Sequence, residues 1–154
     1  MIWKPHTTVA AIIERENRFL MVEEIVDNQL VYNQPAGHLD PDESLLDAVI
    51  RETREETAWL FEPSALVGVY LWKKKGMSEE GESDSSYLRF AYCGQCSDFQ
   101  ENLPLDEGIE SATWLSRDEL MSRKDQLRSP LVMRCIDDYL AGRRFPLDIA
   151  SSVE

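Results

Sequence analysis

Four glutamates lie in one short acidic stretch of the chain, at positions Glu43, Glu52, Glu55 and Glu56. In a helix, the last three would lie on one side, about one turn apart. Like charges at this spacing repel each other by roughly a few tenths of a kcal/mol per pair. A hard divalent cation with oxygen ligands, Mg²⁺ first, removes that repulsion. The spacing therefore indicates a metal site, with a solvated helix face as the alternative.

A helix is predicted for this acidic stretch. We expect Asp40 to act as its N-cap, Pro41 to lie in the first turn and Glu43 to occupy the capping-box position. At about 100° per residue, one stripe must face a core, formed by Leu46, Val49, Ile50 and Thr53. The three later glutamates flank this stripe at the edge of the core. Periodicity alone leaves open whether they bind a metal or pair with Arg51 and Arg54.

The order of these residues resembles the Nudix box, G-x5-E-x7-R-E-U-x-E-E-x-G-U, in which U is a bulky apolar residue. Residues 37–59, GHLDPDESLLDAVIRETREETAW, follow that pattern. The positions in register are Gly37, Glu43, Arg51, Glu52, Glu55, Glu56 and Trp59. Thr53 replaces an aliphatic residue, and Ala58 replaces the second glycine, where glycine eases a positive φ after a helix.

Segments outside the box look like the NudJ-type phosphatases of the same superfamily. They are WKPHTTVAAII, YNQPAGHL, YLRFAYC, LRSPLV and RFPL, spread from about residue 3 to about residue 148. The segment 73–86 is not matched. The resemblance implies a Nudix α/β/α sandwich with a mixed β-sheet, as one domain over residues 1–154. The order of strands and helices independently predicts a mixed α/β sandwich.

The resemblance also implies an activity and its residues. Nudix enzymes hydrolyse nucleoside diphosphates linked to another group, using water activated by Mg²⁺, for which Mn²⁺ can substitute. By this analogy the metal ligands are Glu52, Glu55, Glu56 and the backbone carbonyl of Ala36. Arg51 would pair with the box carboxylates, while Gly37 and Glu43 would shape the turn into the helix. The implied substrates are nucleoside tri- and diphosphates, with thiamine pyrophosphate or its hydroxymethylpyrimidine pyrophosphate precursor as further candidates.

The general base is open between several carboxylates. Glu55 or Glu56 is the first choice, since a box glutamate can be both ligand and proton acceptor. Some Nudix relatives use a carboxylate six residues before the tryptophan of a later strand, but Gly108 occupies that slot here. Glu107 and Glu110 are nearby substitutes, although ordinary surface charges are the simpler interpretation.

Several residues outside the helix are candidates for substrate binding. Arg89 lies inside a predicted strand, where a buried guanidinium needs a partner; a phosphate or a box glutamate would serve. His38 follows the box glycine and can donate to phosphate. The aromatic rings of Trp3, Tyr32 and Trp72 can stack on a heterocycle, but we expect core packing for each.

Strand-like runs cover residues 7–13, 18–26, 29–33, 65–72, 86–96 and 109–115. Residues 116–122 begin a helix capped by Ser116, with Glu119 at its capping-box position. Residues 129–142 form an amphipathic helix closed by Gly142. The polar segment between the two longest strands, within 73–86, is predicted to be a mobile loop.

Composition limits the classes of function. The chain has 154 residues and a net charge of −13, which disfavours nucleic acid and anionic membranes as partners. Without a signal peptide or an apolar span, we expect a cytoplasmic protein with reduced thiols, as a monomer or homodimer. The C-x-x-C spacing of Cys93 and Cys96 closes a strand, so a redox or zinc site is disfavoured. A Nudix-derived sensor that binds nucleotides without hydrolysis is the alternative to an enzyme.

Overall fold

The fold is built on seven β-strands and three α-helices, described in a computed structural model for residues 2–78 and 81–154. The strands are β1 His6–Arg15, β2 Arg18–Val26, β3 Gln29–Asn33, β4 Ala36–His38, β5 Leu60–Ser78, β6 Gly81–Ser97 and β7 Ile109–Leu115. The helices are α1 Leu45–Thr57, α2 Arg117–Ser122 and α3 Leu131–Leu140, with short 3₁₀ turns at Lys124–Gln126 and Leu147–Ile149. Within these described ranges, every helix is too short or too polar to cross a membrane.

The strands form a mixed sheet in the order β3-β2-β1-β6-β5, with β4 joined to β1 and β7 joined to β2. Only the β1–β6 pairing is parallel among these pairs. One apolar cluster packs Leu120 and Val132 from α2 and α3 on one face, and another packs Val49 from α1 on the other. The predicted α/β/α sandwich with a mixed sheet is confirmed.

Strand β1 shows why the sheet is buried on both faces. Its residues 8–13 form a continuous buried run, as expected for a strand covered on each side. Successive side chains point to opposite faces, so Ile12 joins the cluster beneath α2 and α3, while Ala11 and Ile13 join the cluster beneath α1.

Cys93 and Cys96 are separated by the same alternation. Three residues apart on β6, they point to opposite faces, and each belongs to a different apolar cluster. Both are free, as is Cys135. Burial raises the pKa of each thiol above its ordinary value. The C-x-x-C spacing therefore supplies core residues, because its two sulfur atoms do not converge.

The segment 73–86 is not the mobile loop that its polar composition predicts. Strand β5 continues to Ser78 and β6 begins at Gly81, with Cα pairing from Lys73 opposite Ser86 onwards. Residues 79 and 80 lie outside the described residues. The prediction was wrong because a strand is recognised in sequence by its apolar side chains, and these residues are polar. Cross-strand hydrogen bonds between backbone groups form a ladder without apolar side chains.

Helix α1 begins later than predicted. Ser44 is its N-cap, and the Ser44 side chain accepts a hydrogen bond from the Asp47 N–H. Asp40 is not the cap, because Asp42 has a φ of 64° and interrupts any helical path between them. Glu43 does accept from the Asp40 N–H, at 3.0 Å, but this bond closes a turn ahead of the helix.

The ends of the helices otherwise follow the sequence. Ala58 has a φ of 67° and closes α1 in the left-handed conformation, so alanine occupies the position at which glycine was expected. Ser116 and Glu119 form both bonds of a capping box at α2. Gly142 has a φ of 86° just after α3.

Replacing Ser44 with alanine tests the observed start of α1. We expect Ser44→Ala to lower the free energy of unfolding by about 1 kcal/mol, because the Asp47 N–H loses its acceptor. Ser44→Asp keeps a side-chain acceptor and should retain most of the stability. Urea unfolding followed by circular dichroism measures both, and an unaffected Ser44→Ala variant would place the cap elsewhere.

Candidate active site

Helix α1 holds the acidic residues against the sheet through its buried face, which includes Ala48, Val49, Thr53 and Thr57. Thr53 stands where the Nudix pattern has an aliphatic residue, and it is fully buried. Its hydroxyl donates to the Val49 carbonyl at 2.7 Å, and the Thr57 hydroxyl donates to the Thr53 carbonyl at 2.6 Å. A threonine hydroxyl satisfied within its own helix is compatible with a core position.

The carboxylates of Glu52, Glu55 and Asp106 converge at one end of α1. Each offers an oxygen atom, and these atoms lie within 4.8 Å of one another. We call these residues the carboxylate cluster. The loop that carries Asp106 is fastened to the helix, because the Asp106 N–H donates to the Glu55 carbonyl at 3.0 Å.

Asp106 was missed by sequence reasoning, which looked six residues before Trp114 and considered Glu107 and Glu110. Asp106 lies two residues before that position. The signal that could have identified it is the group of acidic residues formed by Asp106, Glu107 and Glu110. Glu107 and Glu110 are exposed, and neither belongs to the cluster formed among the described residues. Glu110 instead lines a groove beside Trp59 and Trp114.

Glu56 lies beside the carboxylate cluster but faces inward, with 8% of its surface exposed. Its Oε1 atom accepts a hydrogen bond from the Ala36 N–H at 2.8 Å. Burial is the main reason why the pKa of Glu56 is raised to about 9; the bond from the Ala36 N–H lowers this pKa, and the negative charges of Glu52, Glu24 and Asp106 raise it. Burial likewise raises the pKa of Glu52. The site therefore holds buried carboxyl groups at high electrostatic cost.

Gly37 permits the close approach of Glu52 to strand β4. A Cβ atom at position 37 would collide with the Glu52 carboxylate. The position of Gly37 is fixed by pairing with Val9 of β1, and the flanking Leu39 N–H donates to the Thr7 carbonyl at 3.1 Å. The box glycine is thus explained by contact with a box glutamate.

Arg51 connects several residues of the Nudix box through the hydrogen bonds of its guanidinium. Its Nε and Nη2 atoms donate to the two carboxylate oxygens of Glu43 at 2.7 and 3.0 Å. Its Nη1 atom donates to Glu52 at 2.9 Å and Glu55 at 3.1 Å, and Nη2 also donates to the His38 carbonyl at 3.1 Å. These bonds lower the pKa of Glu43 and raise that of Arg51.

Arg89 reaches the site from strand β6 and is 5% exposed. Its guanidinium donates to Gln34 Oε1 at 2.9 Å and to Asn33 Oδ1 at 3.3 Å. Among the described residues no carboxylate pairs with it, and its Nε atom has no hydrogen-bond partner. The expectation that a box glutamate could be its partner is therefore wrong, since neutral amides hold this buried charge.

A cleft of about 220 Å³ opens beside β4. We call β4 and the residues that join it to α1, 36–44, the box loop. Its walls include residues from the six strands β1 to β6 and from the start of α3 with the two residues of the preceding segment, namely Thr8, Glu24, Asn33, Ala36, Gly37, His38, Trp72, Lys74, Tyr87, Arg89, Arg128, Ser129 and Leu131. Three of these, Lys74, Arg89 and Arg128, are cationic. Arg128 lies 3.6 Å from Glu24, and burial raises the pKa of Glu24. Three positive groups therefore line one cleft of this acidic protein.

The histidine and the three aromatic candidates lie in different places. His38 lines the cleft and meets the ring of His6 edge-on at 5.4 Å; burial and then His6 lower the pKa of His38. Core packing was expected for three rings, but it holds for Tyr32 alone, which is 7% exposed. Trp3 precedes β1 and is 64% exposed, and Trp72 is partly exposed and lines the cleft.

Comparisons with known proteins agree with this geometry. The family model described as the NUDIX domain matches residues 4–135. The chain is 34% identical to Phosphatase NudJ of Escherichia coli K12 over 148 residues, covering 96% of this chain and 92% of that protein. A solved NUDIX hydrolase from Nitrosomonas europaea is 45% identical, with a TM-score of 0.90 over 97% of this chain and 98% of that one.

A more distant solved structure shares the fold alone. The MutT NUDIX hydrolase from Burkholderia pseudomallei is 20% identical, with a TM-score of 0.66 over 88% of this chain and 98% of that one. The family match spans most of the chain, and the residues of its signature box converge in the structure. The chain therefore belongs to the NUDIX family of hydrolases.

Proposed function

We propose that this protein is a Mg²⁺-dependent pyrophosphohydrolase of nucleoside tri- and diphosphates, which also accepts thiamine pyrophosphate or its hydroxymethylpyrimidine pyrophosphate precursor. The observation that carries the proposal is the carboxylate cluster, Glu52, Glu55 and Asp106, beside a cleft that contains the uncompensated charge of Arg89. The 34% identity to Phosphatase NudJ supports a phosphatase activity. The substrates themselves are our inference from that likeness.

The residues present fit a hard divalent cation. Three carboxylate oxygens within 4.8 Å of one another offer the ligand type that Mg²⁺ and Mn²⁺ prefer. We assign Glu56, whose carboxyl interacts with Glu52 and Asp106, and the Ala36 carbonyl to the same ligand set. When bound, the cation supplies charge neutralisation at the phosphates and lowers the pKa of water.

The chain's own groups have separate roles in the proposed reaction. Arg51 orients Glu52 and Glu55 through its Nη1 atom, while Glu43 holds the guanidinium in place. Glu56 Oε1 is occupied by the Ala36 N–H, so we assign proton acceptance from the attacking water to Glu56 Oε2. Burial raises the pKa of this carboxyl, and a bound cation would favour its ionised form, which is the form that accepts a proton.

Phosphate binding is assigned to the cations of the cleft. Arg89 is fixed by two amide acceptors, so its fork is pre-organised for phosphate oxygens. Lys74 and Arg128 add positive charge at the same cleft, and we assign hydrogen bonding to phosphate to His38 as well. The chain as a whole has a net charge of −13, which repels anions. The positive side chains of the cleft therefore allow an anionic substrate to bind there.

The net charge of −13 disfavours nucleic acid as a partner. We propose a single-domain cytoplasmic enzyme, monomeric or homodimeric, that acts on small molecules rather than on nucleic acid. Binding of nucleotides without hydrolysis, as by a Nudix-derived sensor, would overturn the catalytic proposal.

Substituting Glu56 tests the proposed chemistry directly. We expect Glu56→Gln to reduce kcat on the order of 100-fold or more, because glutamine can neither accept the proton nor bind the cation as a carboxylate does. The fold should survive, since the glutamine oxygen can still accept from the Ala36 N–H. The measurement is product release from a panel of nucleotides and thiamine phosphates with Mg²⁺, with identification of phosphate or pyrophosphate.

Glu107→Gln is the matched control for that experiment, because Glu107 is exposed in the loop beside Asp106 but outside the carboxylate cluster. Its turnover should equal that of the unsubstituted chain. Normal turnover in Glu56→Gln would refute the assignment of Glu56. Nucleotide binding without turnover in the unsubstituted chain at saturating Mg²⁺ would refute the enzyme itself.

Substituting Arg89 separates phosphate binding from a structural role. We expect Arg89→Ala to raise KM by about 10-fold or more with a smaller change in kcat, because a grip on ground-state phosphate is lost. Arg89→Lys keeps the charge but lacks the planar guanidinium, so its KM should lie between those of Arg89→Ala and the unsubstituted chain. Steady-state kinetics and thermal melting are measured together; an unchanged KM with a lower Tm would show that Arg89 only supports the fold.

The pKa of Glu56 predicts how stability depends on pH in the metal-free chain. This pKa is about 9 in the folded chain against an ordinary 4.5, so between these values the folded chain binds more protons than the unfolded chain. The free energy of unfolding should therefore fall as pH rises from about 4.5 to about 9. Glu56→Gln should make this fall shallower. Calorimetry in a chelator at several pH values measures it, and parallel pH profiles for the two proteins would contradict the prediction.

A further inference from the structure

Three aromatic rings lie side by side across three neighbouring strands. His6 of β1 is the register partner of Tyr87 of β6, and Tyr87 is the register partner of Trp72 of β5. The rings of His6 and Tyr87 are stacked, with centroids 4.9 Å apart and planes inclined by 20°. Those of Tyr87 and Trp72 are stacked at 5.5 Å and 30°. We call His6, Tyr87 and Trp72 the aromatic row.

The aromatic row lies next to the residue that we assign to phosphate. Arg89 follows Tyr87 by two positions on β6, so both side chains point to the same face of the sheet. Two residues of a strand span about 7 Å. Tyr87, Trp72 and Arg89 all line the same cleft, which the box loop closes at Ala36–His38. By strand register Arg89 lies level with His38, and Tyr87 lies two residues further on, so β4, the guanidinium and the flat rings follow one another along the cleft.

Core packing does not account for the aromatic row. Tyr87 and Trp72 are partly exposed, and neither appears in the apolar clusters formed by the described residues. Their neighbours on β5, Val69 and Leu71, are exposed on the other side of the strand. The ring of Tyr87 is stacked between His6 and Trp72, so the ring face left for a ligand is the outer face of Trp72 on the edge strand β5, which Tyr87 supports from behind.

We propose that the aromatic row binds the heterocycle of the substrate by stacking, while its phosphate chain passes over Arg89 to the carboxylate cluster. This inference rests on the proposed function for the direction of the phosphate chain. Stacking tolerates different bases, because every base has a π-face. The site would thus select pyrophosphates that carry a flat heterocycle, whether purine, pyrimidine or the rings of thiamine, over pyrophosphates that carry none.

Binding of non-hydrolysable analogues tests the aromatic row without turnover. The probes are α,β-methylene-ADP, α,β-methylene-UDP and methylenebisphosphonate, each titrated calorimetrically with Mg²⁺ present. Trp72→Ala and Tyr87→Ala should each raise Kd for the two nucleotide analogues by about 10-fold or more. Their Kd for the bisphosphonate, which lacks a ring, should not change.

Two control variants are available on the same strand. Leu71→Ala removes an exposed side chain from the opposite face of β5 and should leave every Kd unchanged. Trp72→Phe keeps an aromatic ring and should retain most of the nucleotide affinity. Melting temperatures of all variants show whether each is folded.

Three results would overturn the inference. They are an unchanged Kd for the nucleotide analogues in both alanine variants, an equal loss for the bisphosphonate, and equal binding of all three probes by the unsubstituted chain. Because no bond is broken in these titrations, a failure of Glu56→Gln to lose turnover would refute the proposed chemistry and leave the aromatic row standing.

Discussion

The geometry of the site depends on the hydrogen bonds that the Arg51 guanidinium donates to the carboxylates around it. Carboxylates that repel one another are brought together at the end of α1, and the Arg51 guanidinium meets Glu43, Glu52 and Glu55 at once. Part of the repulsion is offset in this way, but the buried carboxyl of Glu56 is not in contact with that cation and its pKa stays raised. The remaining negative charge faces the position where a divalent ion would be stabilised.

The sheet brings this acidic end of α1 next to a positive cleft. Strand β1 pairs with β4, which carries Gly37, and also with β6, which carries Arg89. A single buried strand therefore fixes the distance between the box loop and the guanidinium. This arrangement lets a chain with a net charge of −13 present cations locally, with the flat rings of β5 and β6 beyond them.

Several residues were predictable because their signals are local. The spacing of Glu52, Glu55 and Glu56 indicates a helix face, and the turn chemistry of Ser116 and Gly142 marks helix ends. The start of α1 was misplaced because Asp40 and Glu43 make a capping-like bond in a turn, which sequence cannot distinguish from a helix cap. The long hairpin was missed because its strands are polar, and only their pairing reveals them.

The sequence by itself determined the family, the sandwich fold and the glutamates of the box, because these depend on residue order and on contacts within one helix. The tertiary structure alone decided that Asp106 joins Glu52 and Glu55, that Arg89 is held by Gln34 rather than by a carboxylate, and that Trp72 lies in the cleft. Each of these depends on strand register and loop docking, which bring together residues that are far apart in the chain and leave no periodic trace in it.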